Sequence, residues 1–369
     1  MQVLVLNPGS STLKAAFVLT DSGAVMDAAT IEWAAGDEDA AELVASALQR
    51  LTIQTADAVG YRVVHGGSRY LAPTRVDDEL IDAVVGLDAL APLHNRRAGM
   101  IMRAGLNLLP HLPHVACFDT AFHANLPEEA WRYPLPADWV EPLSIRRYGF
   151  HGLSVAWSVH RAAELLERRS EDVALVVAHL GSGCSVTAVD GGRSVDTSMG
   201  YTPYEGLMMG TRSGSIDPGI LLRLVRDGVG SDELADGLAH RSGLLAIGGN
   251  ASTSELERRA AAGEERARLA LAMFSRRAAA SIAAAATALR RVDALVFTGG
   301  IGEHSSSVRG DIVRRLGSLG MPAHLDDADG DAVVARGAVS ILVVQAREDR
   351  IIASQVADLL RPGAPSGEG

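Results

Sequence analysis

A single lysine ends a short segment of glycine and hydroxyl side chains near the start of the chain. This residue, Lys14, closes the segment Asn7-Pro8-Gly9-Ser10-Ser11-Thr12-Leu13-Lys14. The chain has 34 lysine and arginine residues, and all of them except Lys14 are arginine. A compact ammonium can donate to one phosphate oxygen in a way that a planar guanidinium cannot replace. The segment therefore predicts a phosphate-binding loop, in which backbone amides and hydroxyls surround the phosphate. An ordinary surface lysine is the alternative, and the spacing is not that of a Walker P-loop.

Arginine, aspartate and histidine also stand at the ends of apolar runs or between glycines. Arg62 precedes Val63-Val64-His65-Gly66-Gly67, Asp119 directly follows an apolar run, and His151 lies between Gly149-Phe150 and Gly152. Ligands of open α/β sheets gather where strands end, so these residues are candidates for a site. Taken singly, each has a structural alternative: an ion pair for the arginine, a helix cap for the aspartate and a core position for the histidine.

A glycine-dense segment over residues 200–218 is the other candidate for function. It holds Arg212 between Thr211 and Ser213, and two methionines precede it. Ordering so many glycines costs conformational entropy, and functional residues concentrate in loops. We therefore expect a functional loop here. The segment Pro92-Leu93-His94-Asn95 is a weaker candidate of the same kind.

Composition limits the classes of protein to consider. The chain has 369 residues, 47% of them hydrophobic, a mean hydropathy of +0.13 and a net charge of −11. This length favours two domains, and the negative charge argues against nucleic acid as a partner.

The N-terminus has no basic lead typical of a signal peptide, and the apolar run 278–289 is too short to cross a membrane. Cys117 and Cys184 have no metal-binding spacing, so we expect core residues of a cytoplasmic protein.

Strands alternate with helices along the chain, which indicates an α/β fold. Apolar runs predict strands over 3–6, 15–19, 58–64, 114–118, 173–180, 184–189, 294–298 and 341–344. Helical spacing predicts helices over 37–50, 77–90, 96–109, 155–168, 218–227, 264–291, from 305 and over 351–360. Two units of strand, glycine turn and strand, at 3–19 and 173–189, suggest one architecture used twice.

Eight segments in order carry a family resemblance that covers nearly the whole chain. They are NPGSSTLK, RVVHGG, APLHN, FDTAFH, RRYGFHG, HLGSG, TPYEGLMMGTRSGSIDPG and FTGGIGEH. The sequence resembles the acetate and propionate kinases, a family of the sugar kinase, heat-shock ATPase and actin superfamily. The resemblance implies an α/β fold of two related ribonuclease H-like domains with a cleft between them. Residues 1–149, completed by a C-terminal helix over 350–369, would form one domain and residues 150–349 the other.

The resemblance also implies an activity. It is the reversible, Mg²⁺-dependent transfer of a phosphoryl group between ATP and acetate or propionate, by direct in-line displacement, giving acetyl phosphate and ADP. A carboxylate is already a nucleophile, so alignment and charge stabilisation of a metaphosphate-like transition state suffice. The expected partners are these small molecules and a second copy of the chain, paired through the second domain. Neither nucleic acid nor membrane is expected.

Individual roles follow from the same resemblance. The residues expected to catalyse transfer are His151, Arg212, Arg62, Asp119 and Lys14, of which His151 and Arg212 stabilise the transition state. Those expected to bind the acyl substrate are Arg62, Val64, Leu93, His94, Phe150 and Pro203. The nucleotide side would be formed by Lys14, Ser10, Thr12, His179, Gly181, Ser182, Gly183, Gly299, Gly300, Ile301, Gly302 and His304. The expected metal-binding residues are Asn7 and Glu348.

The chain departs from the family pattern mainly on the nucleotide side. Ser182 stands where the family has asparagine, His304 stands in place of another asparagine, and Thr253-Ser254-Glu255 replaces Asp-Phe-Arg. On the acyl side the departures are Tyr61, Arg96-Arg97 and Val155. Three interpretations stay open: ATP bound through backbone and glycine contacts in a loop before a helix, another donor such as pyrophosphate, polyphosphate or a different nucleotide, and a weakly active nucleotide-binding paralogue.

Overall fold

The computed structural model describes residues 1–9, 12–33, 39–53, 55–87, 90–91 and 94–361. Two compact units divide the chain. Unit 1 contains residues 1–124, 150–157 and 347–369, and unit 2 contains residues 125–149 and 158–346. This division assigns residues 125–149 to the second unit and residues 150–157 to the first. The domain limits expected from the family resemblance, at 149/150 and 349/350, stay a prediction.

Unit 1 is built on a six-stranded mixed sheet. Its strands are β1 (Gln2–Pro8), β2 (Thr12–Leu19), β3 (Val25–Glu32), β4 (Ala58–Val63), β5 (Thr74–Arg75) and β6 (His114–Phe118), in the order β3-β2-β1-β4-β6-β5. β1, β4 and β6 run parallel, so their carboxyl ends lie at one edge of the sheet. The helices of this unit are α1 (Ala40–Arg50), α2 (Asp78–Gly86), α3 (Asn95–Leu108) and α14 (Glu348–Leu360).

Helices cover both faces of this sheet at its centre, which explains why β1 is apolar over most of its length. Leu4 and Leu6 of β1 belong to the core shared with α1, α2 and α3. Val3 and Val5 point to the other face and pack in the cluster of Ile352 from α14. Alternate residues of a strand point to opposite faces, so a strand buried on both sides loses its polar alternation.

Unit 2 contains a second six-stranded sheet with the same topology. Its strands are β7 (Ala174–Leu180), β8 (Cys184–Asp190), β9 (Arg193–Thr197), β10 (Ala294–Thr298), β11 (Ala332–Ala335) and β12 (Ser340–Val343), in the order β11-β12-β10-β7-β8-β9. β7 pairs antiparallel with β8 and parallel with β10, just as β1 pairs antiparallel with β2 and parallel with β4. The expected repetition of one ribonuclease H-like architecture is confirmed.

Unit 2 contains further helices. They are α4 (Glu128–Trp131), α5 (Ala137–Val140), α7 (Pro218–Arg226), α8 (Ser231–His240), α9 (Gly243–Gly248), α10 (Thr253–Ala261), α11 (Glu265–Ala286), α12 (Gly299–His304) and α13 (Ser306–Arg315). α6 (Gly152–Leu165) begins in unit 1 and ends in unit 2. Single turns of 3₁₀ helix occur at Ala121–His123, Ser170–Asp172 and Gly317–Leu319.

Among the described residues, α11 is the one helix with the length and apolar composition to cross a membrane. The helix is longer than the apolar run noted in the sequence. Its residues Ala270, Phe274, Ala278 and Ile282 are buried, and it packs against β7, β8, α9, α10 and α13 of its own unit. A core helix of a globular protein satisfies the same length and composition criteria, and the packing accounts for its apolar face.

Three expectations about local structure are corrected. Lys14 lies within β2 rather than in a loop, because the strand already begins at Thr12. Gly299–Gly302 forms the first part of helix α12 rather than a loop before a helix. The last helix begins at Glu348 rather than at Ile351. Cys117 and Cys184 are buried free thiols, as expected.

Candidate active site

A buried ion pair lies at the carboxyl edge of the first sheet. Arg62, the next-to-last residue of β4, donates to Asp119, the residue after β6: Nη2 is 2.7 Å from Oδ2, and Nε is 3.2 and 3.3 Å from the two carboxylate oxygens. Because the two strands are parallel neighbours, their ends meet at this edge. Burial raises the pKa of Asp119, and the Arg62 guanidinium opposes that rise.

Asn7 and Glu348 complete this cluster. Arg62 Nη1 is 3.4 Å from Asn7 Oδ1 and 3.8 Å from Glu348 Oε1, while Asn7 Nδ2 donates to Glu348 Oε2 over 3.2 Å. Burial alone would lower the pKa of Arg62, but the carboxylates of Asp119 and Glu348 raise it above its ordinary value. Four residues from β1, β4, the end of β6 and the start of α14 therefore share one hydrogen-bonded cluster with a permanently charged guanidinium at its centre.

The cluster is suitable for Mg²⁺. Within the part of the chain that the structure describes, no group of three histidine, cysteine, aspartate or glutamate side chains could hold a metal ion by itself. Mg²⁺ commonly binds through one or two carboxylates, with waters and substrate phosphates completing its coordination. The amide oxygen of Asn7 and the carboxylate of Glu348 offer that kind of partial ligand set.

The segment with the single lysine lies beside this cluster. Lys14 of β2 is paired in register with Asn7 of β1, and its side chain is exposed. Thr12, two residues earlier on the same strand, projects to the same side of the sheet. Gly9, which follows β1, donates its N–H to the Thr12 carbonyl over 2.7 Å. Ser10 lies outside the described residues.

His151 occupies a strained turn that is fixed to Asp119. Its φ of 58° is in the left-handed region, which is uncommon for a non-glycine residue. The next residue, Gly152, donates its N–H to the Asp119 carbonyl over 3.1 Å, and a Cβ added at Gly152 would lie 2.0 Å from that oxygen. Strain of this kind persists only where the surroundings enforce it, and it concentrates at functional sites.

A second contact holds the residue before His151. The ring Nε2 of buried His123 lies 3.0 Å from the Phe150 carbonyl oxygen, and as the protonated nitrogen of a neutral imidazole it donates to that oxygen. Burial lowers the pKa of His123 to about 4, which keeps the ring neutral at pH 7. The sequence did not single out His123, although it lies within the matched segment FDTAFH.

Two of the apolar residues expected to contact the acyl group, Val64 and Phe150, belong to unit 1. Val64 and Phe150 are buried, and the Phe150 ring meets the His65 ring edge-on at a centroid distance of 5.3 Å. The amide of Asn95 fixes the backbone of His65 from both sides, accepting from its N–H over 3.1 Å and donating to its carbonyl over 2.9 Å. His94 is the residue before α3, and Leu93 lies outside the described residues.

Unit 2 contributes Arg212 and Pro203, which are in direct contact. Arg212 Nη1 donates to the Pro203 carbonyl over 3.2 Å and lies 3.9 Å from the sulfur of Met209. Burial lowers the pKa of Arg212, because removal of the guanidinium from water disfavours its charged form. The two methionines of the segment, Met208 and Met209, are buried, which anchors the segment to the interior of unit 2.

A network that sequence reasoning missed orders the start of the same segment. Arg147 Nη2 forms an ion pair of 3.0 Å with Glu205 Oε1, and Tyr133 donates its hydroxyl to Glu205 Oε2. That hydroxyl also accepts from the Tyr201 N–H over 3.0 Å. The one signal in the sequence was that Glu205 lies inside TPYEG, the start of a segment that matches the family. Its partners could not be identified from the sequence, because they lie more than fifty residues away along the chain.

One pocket of unit 2 brings together five of the residues expected on the nucleotide side, namely Gly181, Ser182, Gly300, Ile301 and His304. The pocket has a volume of about 420 Å³ and is lined by Gly181, Ser182, Ala251, Ser252, Thr253, Ser254, Glu257, Gly300, Ile301, His304 and Ser305. The substituted positions Ser182, Thr253 and His304 therefore face one space. Glu255 does not line it. That carboxylate binds Arg258 and Arg259, which lower its pKa to about 2.

Four further residues expected on this side, His179, Gly183, Gly299 and Gly302, lie in unit 2 but do not line the pocket. His179, at the end of β7, is paired in register with Thr298 of β10. Gly299 has a φ of 75°, and a Cβ there would lie 2.8 Å from the Leu180 carbonyl oxygen, so the close approach of α12 to β7 requires glycine. The Gly183 carbonyl accepts a hydrogen bond of 3.0 Å from the Gly181 N–H. Gly302 is buried within α12.

Comparisons with known proteins agree across the chain. The profile of the Acetokinase family matches residues 38–354. The acetate kinase of Deinococcus radiodurans is 43% identical over 392 aligned residues, covering 97% of this chain and 98% of the relative. The crystal structure of Porphyromonas gingivalis acetate kinase has a TM-score of 0.85 at 33% identity, covering 96% of this chain and 98% of that one. A propionate kinase from Francisella tularensis gives the same TM-score and coverage at 32% identity.

Proposed function

The chain belongs to the acetokinase family, and from that premise we propose how its residues transfer a phosphoryl group between ATP and acetate. The activity is that of an acetate kinase, a phosphotransferase with a carboxyl group as acceptor. The reaction is reversible and gives acetyl phosphate and ADP. The observation that carries the residue-level proposal is the cluster of Asn7, Arg62, Asp119 and Glu348, because it fixes a permanent cation at the edge of a sheet beside candidate metal ligands.

In this proposal the chain supplies charge and alignment rather than a strong base. Arg62, held by Asp119, binds the carboxylate of the acceptor. His151 and Arg212 donate to the oxygens of the phosphoryl group as it moves, and Lys14 donates to a phosphate oxygen. Such fixed donors stabilise a metaphosphate-like transition state. Mg²⁺, held by Asn7 and Glu348, would neutralise phosphate charge when bound.

Apolar side chains set the size of the acceptor. Val64 and Phe150 are buried, and Pro203 is fixed by Arg212. With Leu93 they would surround a methyl or ethyl group, because one further methylene changes binding by about 1–3 kcal/mol in such a pocket. We therefore assign acetate or propionate as the acceptor and expect poor transfer to butyrate.

The pocket of unit 2 is assigned to the ATP donor. Gly181 and Ser182 line its edge and Gly300 and Ile301 its wall, so backbone can approach a nucleotide closely there. The other two interpretations predict different outcomes: a pyrophosphate or polyphosphate donor, or binding without turnover. The curated relatives and the similar structures named above carry acetate or propionate kinase names, which supports transfer from ATP.

A homodimer in the cytoplasm completes the proposal. α7 in unit 2 has no buried residue, and its side chains Ile220, Leu222 and Val225 are at least half exposed. Leu222 and Val225 lie one turn apart on the helix, and exposed apolar side chains grouped in this way are typical of an interface between protein chains. A second copy of unit 2 is the partner that we assign to it.

The test is an assay of ADP release and acyl phosphate formation. ATP with acetate or propionate should give both products in equal amounts, and butyrate should give little. Pyrophosphate and polyphosphate, offered in place of ATP, should give none. Absence of acyl phosphate with every acid would contradict the activity, while acyl phosphate from pyrophosphate alone would contradict the donor.

A further inference from the structure

An acidic residue in the wall of the unit 2 pocket has no role in the chemistry described so far. Glu257 lies on α10, one helical turn after Thr253, and both residues line the pocket. Its Oε1 accepts from the hydroxyls of Ser305 and Ser307, which lie at the start of α13. Two donors on one oxygen fix the direction of the carboxylate. The other oxygen, Oε2, has no hydrogen-bond partner among the described residues.

Thr253 is a second unsatisfied group in the same wall. It is 7% exposed, and its hydroxyl has no hydrogen-bond partner within the part of the chain that the structure describes. Buried polar groups are nearly always paired, and each exception calls for an explanation. A threonine hydroxyl can donate to, or accept from, a ligand hydroxyl after rotation of its side chain.

The charge of the pocket selects among possible ligands. Its described lining residues include Glu257 and His304 but neither lysine nor arginine. Pyrophosphate and polyphosphate carry several negative charges, which a nearby carboxylate repels. The diol of a ribose is neutral and offers two O–H donors, and a carboxylate accepts such hydrogen bonds strongly. Acidic residues recognise ribose hydroxyls in the same way in dinucleotide-binding folds.

We propose that Glu257 accepts a hydrogen bond from the ribose diol of the phosphoryl donor, with the hydroxyl of Thr253 as a further contact. The proposal deepens the proposed function and rests on it, since it makes the donor a ribonucleotide rather than an inorganic polyphosphate. It also names the residue through which the chain distinguishes ribose from deoxyribose. Glu255, two residues earlier on the same helix, cannot take this role, because it lies outside the pocket and is paired with Arg258 and Arg259.

The experiment compares ATP with 2′-deoxyATP and 3′-deoxyATP as donors to acetate. Loss of a hydrogen bond to a charged acceptor should lower kcat/KM about 10- to 100-fold for at least one deoxy analogue of the wild-type enzyme. In Glu257→Ala the ratio between ATP and that analogue should fall to near one, and in Glu257→Gln it should fall several-fold. Calorimetry with ADP and 2′- or 3′-deoxyADP should show the same ratios in binding.

Two variants separate recognition from support of the fold. Glu255→Gln removes a carboxylate from the same helix outside the pocket, and Ser307→Ala removes a donor to Glu257 while keeping the carboxylate in the wall. Glu255→Gln should retain the wild-type ratio, and Ser307→Ala, which leaves Ser305 as a donor to Glu257, should lower it less than Glu257→Ala does. Equal use of ATP and both deoxy analogues by the wild type, or an unchanged ratio in Glu257→Ala, would overturn the assignment of Glu257 and leave the kinase activity standing. Transfer from pyrophosphate but not from ATP would also overturn the assignment of ATP as the donor.

Discussion

Arg62 and Asp119 hold each other at the ends of two parallel strands, with their closest atoms 2.7 Å apart and the Asp119 side chain 1% exposed. The arginine lies in β4 and the aspartate directly follows β6, so the sheet itself sets their separation. An ion pair buried to this degree does not by itself argue for stability, because two charges lose their hydration. Its value lies in fixing the direction of a cation that also faces Asn7 and Glu348.

The first prediction is that Asp119→Asn lowers both stability and activity. The substitution leaves Arg62 with only the more distant Glu348 carboxylate, and breaking a buried pair in this way costs about 3 kcal/mol or more in the free energy of unfolding. Turnover should also fall, since Arg62 loses its fixed orientation. Urea unfolding and the acetate kinase assay measure the two effects. Asp78→Asn, which breaks an exposed pair with Arg103, should change the free energy of unfolding by less than about 1 kcal/mol. Equal stability of the two variants would contradict the prediction.

The second prediction is that His151→Gly strongly lowers activity without loss of stability. Glycine adopts the φ of 58° without strain, a gain of about 1 kcal/mol that its greater freedom in the unfolded chain roughly offsets. Loss of a donor to the transition state should lower kcat about 100- to 1,000-fold. Ser144→Gly is the matched control, because Ser144 has a φ of 48° outside the proposed site. Comparable activity of the two variants would remove His151 from the mechanism.

The third prediction concerns the single lysine. Lys14 is exposed on β2, so Lys14→Arg should fold normally. A guanidinium cannot place one donor where the ammonium does, and activity should fall about 10- to 100-fold through the loss of one charged hydrogen bond. Arg69→Lys, an exchange at an exposed ion pair with Glu79, should leave kcat and KM unchanged. Near-normal turnover of Lys14→Arg would mean that Lys14 is an ordinary surface residue.

The sequence predicted the buried strands best and the exposed ones poorly. β6 and β10 match the predicted bounds because both strands are buried throughout, which produces continuous apolar runs. β3 was missed because it lies at a sheet edge with alternate residues exposed, and its polar residues read as a loop. β5 and β11 are too short to produce a pattern.

The candidate site could be predicted residue by residue but not as a set of contacts. Sequence alone left an ion pair and a binding site as alternatives for Arg62, and the structure contains the ion pair, with Asp119, inside the proposed site. The pocket residue Glu257 and the network of Glu205 were missed, since nothing local in sequence marks a carboxylate whose partners lie far along the chain.

The fourth prediction is a loss of stability in mild acid caused by His123. Burial lowers the pKa of this ring from 6.5 to about 4, so between these values the unfolded chain binds more protons than the folded one. The stabilisation from the neutral ring is therefore complete above pH 6.5 and is lost as the pH falls to 4, by about 3 kcal/mol. In His123→Gln, whose amide can still donate to the Phe150 carbonyl, this part of the pH dependence should disappear. His111→Asn, at an exposed histidine, should retain it. Urea unfolding at pH 4, 5, 6 and 7 provides the measurement.

The fifth prediction tests the assignment of α7 to a dimer interface. Leu222 and Val225 are 59% and 56% exposed and lie one helical turn apart. Burial of such side chains contributes about 1.5–3 kcal/mol each, and a carboxylate in their place would be buried without a partner. The double variant Leu222→Asp with Val225→Asp should therefore be a folded monomer at concentrations where the wild type is a dimer, as measured by sedimentation velocity and circular dichroism.

Arg226→Asp adds a carboxylate to the same exposed helix at a position that is already polar, so that variant should dimerise more tightly than the double variant. If the wild type sediments as a monomer, or if the double variant remains a dimer, α7 is not the interface. Because α7 contributes none of the residues assigned to catalysis, a monomeric double variant that retains kcat would further indicate that each subunit carries a complete site.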